Sequence, residues 1–359
     1  MRTNKVYFRK TNKLLSSVAL AAIFSLSFTG CGSDTVTDVA DAIDEVITEA
    51  ADALDEVITD EAAVTEDVVI DVDFTLFLTN DGYVNVETVS CTLSNGTETD
   101  CLQITSQNTP SDHEMGPWCP SHIDEGEEAG GIWLDDGVAY DVDGDFIVGL
   151  AEFYNDTNWK MYDNSGNVFK IETQEECEAA ADPRNEDQEA NFCIQCLPEW
   201  ITDKVETFVI PITPIKLAEP LEFSEEGPVP GQVTLATRGI AFNGVKYDAP
   251  AFVENILDAY TIAPLDDAGG HINNGVGYHY HGDTGHSTHV VQTDTHAGMI
   301  GYALDGHGIF SELDSDGNEA VDLDDCRGHY DDIRGYHYHA AAIGDNELIT
   351  CLAGAWVNE

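Results

Sequence analysis

The stretch Gly277-Tyr-His-Tyr-His281 occurs a second time as Gly335-Tyr-His-Tyr-His339, 58 residues further on (335 − 277 = 58). Each copy follows a Gly-His pair, Gly270-His271 or Gly328-His329, at the same spacing. Self-similarity at one offset over several residues is the sign of an internal repeat. The sequence therefore predicts a duplicated β-unit of about 60 residues, with the two copies packed face to face about a pseudo-twofold axis around one core.

A second pair of stretches supports the repeat. Gly239-Ile-Ala-Phe-Asn-Gly244 resembles Gly301-Tyr-Ala-Leu-Asp-Gly306 at an offset of 62 (301 − 239 = 62), so the copies differ slightly in length. From about residue 73 onward, short runs of β-forming residues alternate with Gly, Asn and Asp turns. This texture predicts a mainly β fold.

Alternation along a strand gives the repeated stretch its chemical meaning. Side chains i and i+2 lie on the same face, about 6.5–7 Å apart, so the imidazoles share one side and the phenols the other. Two imidazoles at that separation can converge on one metal ion with bonds of about 2.0–2.1 Å. The His of the preceding Gly-His pair can fold back as a third ligand. The predicted metal ligands are His271, His279 and His281 in the first copy and His329, His337 and His339 in the second.

Three histidines with an open position are typical of zinc or copper sites. Either each set forms a local site, or the twofold axis brings the copies together and the sites mix ligands from both. Four nearby carboxylates are predicted to orient the rings as hydrogen-bond acceptors, namely Asp266, Asp267, Asp324 and Asp325. The alternative to metal binding is a neutral hydrogen-bonded network of His and Tyr in the core.

Further histidines and acidic loops are open to more than one interpretation. His286 and His289 either join the first site or are solvated, and His296 could point back to either copy. The acidic stretches Asp314–Asn318 and Asp141–Asp145 resemble calcium loops, but each has another residue where the loop needs Gly. Asp-Gly turns are therefore favoured over calcium at both.

The doubled Gly-His and Gly-Tyr-His-Tyr-His motifs, with Ile300-Gly-Tyr-Ala-Leu-Asp-Gly306 between them, resemble the YHYH-domain family of secreted bacterial and eukaryotic proteins. The resemblance covers roughly residues 207–357, and the stretch from Cys91 to Trp200 resembles the region that often precedes this domain in marine bacterial relatives. The family supports the fold but implies no settled activity. One departure is His307, where an aromatic residue is expected and where Val245 stands in the first copy.

The first 30 residues are predicted to be an export signal. Residues 1–13 carry five Lys or Arg and no acidic residue, and an apolar stretch from Leu14 to Phe28 follows. A basic segment, a short apolar core and small residues before the cut are the parts of a secretory signal. Thr29 and Gly30 directly precede Cys31 and resemble a bacterial lipobox, so Cys31 is the predicted lipid attachment site.

The charge of the chain excludes one class of partner. Removing the signal leaves 9 basic residues against 68 acidic ones, a formal charge of 9 − 68 = −59. Nucleic-acid binding is excluded because phosphate contacts need Lys and Arg. Such acidity favours solubility and attracts cations, and adaptation to a saline habitat explains it equally well.

Residues 31–72 are predicted to form an acidic tether, followed by a disulfide-rich β region at 73–206 and the duplicated YHYH domain at 207–359. Within the tether, residues 41–51 recur almost unchanged as 52–62. An 11-residue period is close to that of an α-helix, so this part is either a helical stalk or a solvated, partly helical spacer.

Eight cysteines remain besides Cys31, an even number in an oxidising compartment, which predicts four disulfides. Cys91 and Cys101 flank an Asn-Gly turn and are predicted to close a hairpin. Cys326 and Cys351 are predicted to pair. The remaining four are Cys119, Cys177, Cys193 and Cys196, whose pairing stays open. The Cys193-x-x-Cys196 spacing could indicate redox chemistry or half a zinc knuckle, but a structural role is favoured.

Local patterns predict a few further elements. Thr173-Gln-Glu-Glu176 is a capping box that opens a short helix. The alternation between Gly131 and Val148 indicates strands, and residues 209–216 indicate an edge strand or a connector. Phe252–Tyr260 is helix-like.

Three classes of function remain. The first is a metal-binding lipoprotein that handles copper or zinc, anchored by its acyl chain to the bacterial cell envelope, in the outer membrane and facing the periplasm or the surface. The second is a metalloenzyme with an open three-histidine site. The third is a structural or adhesive acidic protein. The sequence has no His-Glu-x-x-His, no Gly-x-Ser-x-Gly and no phosphate-binding Gly loop, which weakens the second class.

Overall fold

A computed structural model describes most of the chain from residue 67 onward. The described residues are 67–80, 82–116, 119–171, 173, 175–176, 192–196, 204–223, 236–273 and 276–357. Residues 67–359 form one compact unit. The predicted signal, Cys31 and the 11-residue repeat lie outside the described residues.

The described residues form eighteen strands and two α-helices. The strands are β1 Val84–Thr92, β2 Glu98–Ser106, β3 Ile132–Asp135, β4 Val138–Asp141, β5 Lys170–Ile171, β6 Cys193–Gln195, β7 Glu206–Pro211, β8 Lys216–Glu222, β9 Gly239–Ala241, β10 Lys246–Tyr247, β11 Thr261–Ile262, β12 Gly270–Asn273, β13 Gly277–Tyr280, β14 Met299–Ala303, β15 Gly308–Phe310, β16 Gly328–Asp331, β17 Gly335–His339 and β18 Cys351–Gly354. The helices are α1 Gly144–Phe153 and α2 Val253–Asp258, and 3-10 turns cover Phe74–Leu76, Glu127–Ala129 and Ile343–Asp345. The prediction of a mainly β fold is confirmed.

The largest sheet contains eight strands, in the order β12-β13-β10-β9-β14-β15-β17-β16. Its centre is the antiparallel pair β9 and β14, in which Ile240 lies opposite Tyr302. From that pair outward, each half has an antiparallel, a parallel and an antiparallel pairing in turn. Both halves therefore have the same strand order and directions. Duplication and a pseudo-twofold axis stay predictions, because strand order measures no rotation.

The two halves meet edge to edge, so the prediction of face-to-face packing is wrong. Each half leaves the backbone groups of one edge strand, β9 or β14, open for pairing, and the two edges satisfy each other. Both halves nevertheless contribute to one apolar core. Its buried members include Tyr278, Tyr280, Ile309, Tyr336 and Tyr338.

Strand pairing also crosses the predicted boundary between residues 206 and 207. Strand β7 spans that boundary and pairs with β2 of the preceding region. Strand β11 pairs with β6, which is likewise far upstream. The two regions therefore share sheets, and their separation as domains stays a prediction.

Helix α1 corrects the expectation of strands up to Val148. Asp143 is its N-cap, and one of its carboxylate oxygens accepts a hydrogen bond from the backbone N–H of Phe146. Ile147 and Leu150 then lie three residues apart on the buried face, the spacing of a helix. The cap and this spacing outweigh the apparent alternation. The helix predicted over Phe252–Tyr260 is confirmed as α2.

Three disulfides join described cysteines. The predicted Cys91–Cys101 bond staples the β1–β2 hairpin, whose turn contains Asn95 and Gly96, the latter at φ +84°. The predicted Cys326–Cys351 bond is also confirmed, with 4.7 Å between the Cα atoms. The third joins Cys119 to Cys196. Cys177 lies outside the described residues, so the pairing of that cysteine is not assigned.

Two further local expectations hold. Thr173 and Glu176 exchange side-chain to backbone hydrogen bonds, as a capping box requires. Residues 209–216 include the end of β7, an edge strand of its sheet, and the connector to β8. No helix in the described part of the chain is long and apolar enough to cross a membrane.

Candidate metal centres

Two hairpins position the predicted ligands. In β12–β13, His271 lies opposite His279, and in β16–β17, His329 lies opposite His337. A glycine precedes each first histidine, and a tyrosine side chain of the same hairpin packs directly against it. A Cβ added at Gly328 would lie only 2.1 Å from the hydroxyl oxygen of a tyrosine in the same hairpin.

The three-histidine cluster consists of His271, His279 and His281. Their possible ligand atoms all lie within 4.8 Å of one another, and the side chains are 6%, 2% and 4% exposed. The Nε2 atoms of His271 and His281 are 3.2 Å apart. The first copy thus forms a local cluster, and its strand histidines converge as their alternation predicts.

The four-histidine cluster consists of His296, His329, His337 and His339, again with ligand atoms within 4.8 Å of one another. The Nε2 atom of His337 lies 2.9 Å from that of His329 and 3.1 Å from that of His296. His337 and His339 are buried, whereas His296 and His329 are partly exposed. The sequence does not assign His296 to either copy. In the structure it belongs to the cluster of the second copy.

Backbone carbonyls fix the orientation of these rings. In six of the seven, Nδ1 lies within hydrogen-bond distance of a carbonyl oxygen. The pairs are His279 with Gly277, His281 with Ala249, His296 with Ala297, His329 with Val321, His337 with Gly335 and His339 with Ser311. The seventh, His271, hydrogen-bonds to the backbone of Ala263. A carbonyl can only accept, so in those six rings Nδ1 carries the proton and Nε2 has a free lone pair.

The converging lone pairs are the main chemical feature of both clusters. The Nε2 of His339 is buried and has no hydrogen-bond partner within the described structure. Two lone pairs about 3 Å apart repel each other unless a cation lies between them. With metal–nitrogen bonds of about 2.0–2.1 Å, Nε2 separations of 2.9–3.2 Å correspond to angles of about 87–106° at the ion. The geometry therefore fits a transition-metal ion in each cluster.

Burial keeps five of these imidazoles neutral by lowering their pKa values. It lowers the pKa of His271 to about 3, with a contribution from the neighbouring ring of His281. It also lowers the pKa of His337 to about 3 and that of His339 to about 4. The pKa values of His279 and His281 are held well below the ordinary value for the same reason. Neutral imidazole is the form that binds metals, so the ligands are ready without deprotonation.

The predicted role of the carboxylates as acceptors for the rings is wrong. Asp266 accepts from the phenol of Tyr278, and Asp324 accepts from that of Tyr336. Both also accept backbone N–H groups of the turn before the first histidine. Asp267 and its counterpart in the second copy are exposed. The carboxylates thus hold the phenols and the turn, while the carbonyls orient the imidazoles.

A further histidine lies against the tyrosines of each hairpin. In the second copy it is His307, whose ring packs 5.0 Å from Tyr336 and whose Nδ1 lies 3.1 Å from a carboxylate oxygen of Asp305. In the first copy it is His113, with Nε2 3.1 Å from the hydroxyl of Tyr278. No sequence pattern points to His113, since it lies 165 residues away from that tyrosine.

The remaining candidates do not join the clusters. His286 is exposed, and His289 lies 3.0 Å from Asp283 instead. Asp314 accepts backbone N–H groups of its own loop, as an Asp-Gly turn does, and Asp143 is the N-cap of α1. These contacts agree with the favoured turns, and calcium stays the weaker interpretation.

A surface pocket of about 370 Å³ lies beside the four-histidine cluster. His329, Tyr336 and Lys216 line it, and the ammonium of Lys216 lies 4.2 Å from the centre of the Tyr336 ring. The four-histidine cluster is therefore reachable from solvent on the side of His329. In contrast, all three members of the other cluster are buried.

Together the hairpins and clusters define a β protein with two candidate transition-metal centres. Residues 207–321 match the model of the family described as YHYH protein. The resemblance drawn from the motifs is confirmed over that region, which contains the first Gly-Tyr-His-Tyr-His stretch. Its extension to the second stretch, which begins at Gly335, stays a prediction. No significant match exists among curated proteins or among solved structures.

Proposed function

We propose that the protein binds two transition-metal ions, one at each histidine cluster, and handles copper or zinc in the bacterial cell envelope. The observation that carries this proposal is the convergence of Nε2 lone pairs in both clusters while backbone carbonyls occupy Nδ1. A neutral hydrogen-bonded core would instead pair each Nε2 with a donor. The lone pairs need a cation, and imidazole nitrogen suits zinc and copper.

The proposal includes an anchor at Cys31 that keeps the protein at a lipid bilayer. The formal charge of −59 after signal removal (9 − 68) supports a cation-binding role, because an acidic surface raises the local concentration of cations. Such attraction is not selective by itself. Selectivity for a transition metal over calcium comes from the nitrogen ligands, since calcium prefers oxygen.

Binding is favoured over catalysis by the composition of the clusters. Within the described residues, both groups consist of histidines alone, so neither includes a carboxylate among its possible ligands. The three-histidine cluster is also closed to solvent by burial. A site that stores or passes on a metal ion needs neither a base nor room for a substrate, so these features fit the binding class.

The test is the metal content of the full-length chain after incubation with zinc or copper and removal of excess ion. We expect two ions per chain for the parent and one for His279→Ala/His281→Ala or His337→Ala/His339→Ala. His286 is exposed and lies outside both clusters, so His286→Ala is the matched control and is expected to keep two ions per chain. His271→Gln and His329→Gln replace single ligands by side chains of similar size, in case the double variants do not fold. A parent without bound metal, or unchanged stoichiometry in every folded ligand variant, would overturn the proposal.

A further inference from the structure

His296 is the one cluster member outside the repeated motif. It lies in the loop that precedes β14, whereas the other three members of its cluster belong to β16 and β17. A loop residue needs some contact that holds its ring at the ion, since no hairpin register does so. Its Nε2 is nevertheless 3.1 Å from that of His337.

Arg334 connects that loop to the hairpin. It lies at the turn between β16 and β17, and its side chain is only 9% exposed. Its Nη2 lies 2.5 Å from each carboxylate oxygen of Asp294, two residues before His296. Its Nη1 lies 2.5 Å from Asp331, in the same hairpin. One guanidinium therefore ties the loop to the hairpin through charge-assisted hydrogen bonds, which are the strong kind.

Phe310 fills the space between this connection and the ligands. The Arg334 guanidinium carbon lies 6.0 Å from the centre of the Phe310 ring. The same ring packs at 4.8 Å from His296 and at 4.8 Å from His337. The ring of His296 thus packs against Phe310, and the ion pair between Asp294 and Arg334 holds the loop two residues before it.

The first copy lacks this connection. At the offset of 58, Arg334 corresponds to Val276 and Asp331 to Asn273 (334 − 58 = 276, 331 − 58 = 273). The cluster of the first copy has three histidines, and among the described residues no fourth joins it. The ion pair and the fourth histidine therefore occur together in the second copy.

We propose that Arg334 is a positioning residue that, through Asp294, holds His296 as the fourth nitrogen ligand of the second metal site. The proposal rests on the metal binding proposed above. The connection converts a three-nitrogen site into a four-nitrogen site. Removing its Asp294 side leaves the pairing of His329 with His337 in the hairpin in place and frees the loop ligand. Residues that orient a metal ligand commonly change metal affinity by about 10- to 100-fold when they are removed.

The test uses Cu²⁺ and counts coordinating nitrogens by electron paramagnetic resonance. The background is the full-length chain carrying His279→Ala/His281→Ala, so that copper reports on the four-histidine cluster alone. His271→Gln is the background if that double variant does not fold. We expect four nitrogens in the background and three after Asp294→Asn, Arg334→Met or His296→Ala. Affinity measured by chelator competition should fall by about 10- to 100-fold in each.

Two controls separate positioning from general damage. Glu319→Gln breaks a comparable ion pair of the same copy, with Arg327 at 2.9 Å, and should keep four nitrogens. Asp294→Asn added to His296→Ala should cause no further loss of affinity, because the ligand that it positions is already gone. A merely structural role of Asp294 would lower the affinity in that background too.

The outcomes distinguish the two proposals. A background that binds no Cu²⁺ at this cluster contradicts the proposed function, and the positioning role with it. A background with four nitrogens that keeps all four after Asp294→Asn and Arg334→Met contradicts the positioning role alone. A further loss of Cu²⁺ affinity when Asp294→Asn is added to His296→Ala also contradicts the positioning role alone.

Discussion

Acidification of the metal-free protein tests the buried imidazoles most directly. The perturbation is a change from pH 7.5 to pH 5.5 in the presence of a chelator. Five cluster histidines that are buried and have strongly depressed pKa values contribute, namely His271, His279, His281, His337 and His339. In the unfolded chain each has the ordinary value of about 6.5 and takes up a proton in this range.

The sign follows from the depressed pKa values. The unfolded state binds more protons than the folded state below pH 6.5, so the free energy of unfolding falls as the pH falls. At pH 5.5, one unit below the unfolded value, each neutral histidine costs about 1.4 kcal/mol. The five together amount to roughly 7 kcal/mol, as much as many domains have in total. The loss continues toward pH 3–4, where His271, His337 and His339 titrate in the folded protein.

One histidine acts in the opposite direction. The carboxylate of Asp283 raises the pKa of His289, so protonation of His289 stabilises the fold as the pH falls. Asp112, which accepts hydrogen bonds from the neighbouring Thr288, has a pKa well below its usual value because its hydrogen bonds outweigh its burial, and it does not titrate in this window. Because a single histidine acts in this direction against five in the other, most of the expected loss in the free energy of unfolding remains.

The assay is denaturant unfolding of the chelated full-length chain at the two pH values. His286→Asn is the control, since that side chain is exposed, and it should show the same loss as the parent. A change of less than about 2 kcal/mol in the parent would refute the reasoning, because even two buried neutral histidines exceed it.

Two further predictions concern the covalent features. Replacing Cys326 and Cys351 together by Ala opens a loop with a sequence separation of 25 and should lower the free energy of unfolding by about 3 kcal/mol, measured by denaturant titration; an unchanged midpoint would contradict this. Cys31→Ser should abolish lipid-dependent partitioning into a detergent phase and leave the signal uncut by lipoprotein processing, as seen by mass; unchanged partitioning and normal cleavage would contradict the anchor.

The parts of the site that sequence could predict are those set by local geometry. His279 and His281 share a face because a strand alternates, and a hairpin with a fixed turn brings His271 opposite His279. The Cys91–Cys101 staple follows from the same reasoning, since an Asn-Gly turn fixes which strands pair.

The parts that sequence could not predict depend on contacts between distant residues. His296 precedes its cluster partner His337 by 41 positions, and no periodicity connects them. The carboxylate of Asp266 was close enough in sequence to orient a ring, but the turn aims it at Tyr278 instead. Alternation places side chains on faces, yet it does not say which neighbour satisfies each nitrogen. The edge-to-edge pairing of β9 with β14 was missed for a similar reason. The residues of an edge strand do not show which other edge strand it pairs with.

The departure at His307 finds its explanation on the tyrosine face. Each hairpin buries two phenols that need hydrogen-bonding partners, since an unsatisfied buried hydroxyl is costly. In the second copy, Asp305 accepts from Tyr338, and His307 packs against that carboxylate.

In the first copy, Asn243 stands at the place of Asp305 and donates to Tyr280. Asn243 is neutral and cannot replace the carboxylate that Asp305 supplies in the second copy. In the first copy a carboxylate comes instead from Asp112, in the region before the domain. Asp112 pairs with His113 at 2.9 Å, and that histidine in turn reaches the hydroxyl groups of Tyr278 and Tyr280 at 3.1 and 3.4 Å. A histidine within the second copy and one from outside the first thus both lie against the tyrosines of their hairpins. The preceding region is therefore part of the first hairpin's polar core, and removing it would leave those phenols without their histidine.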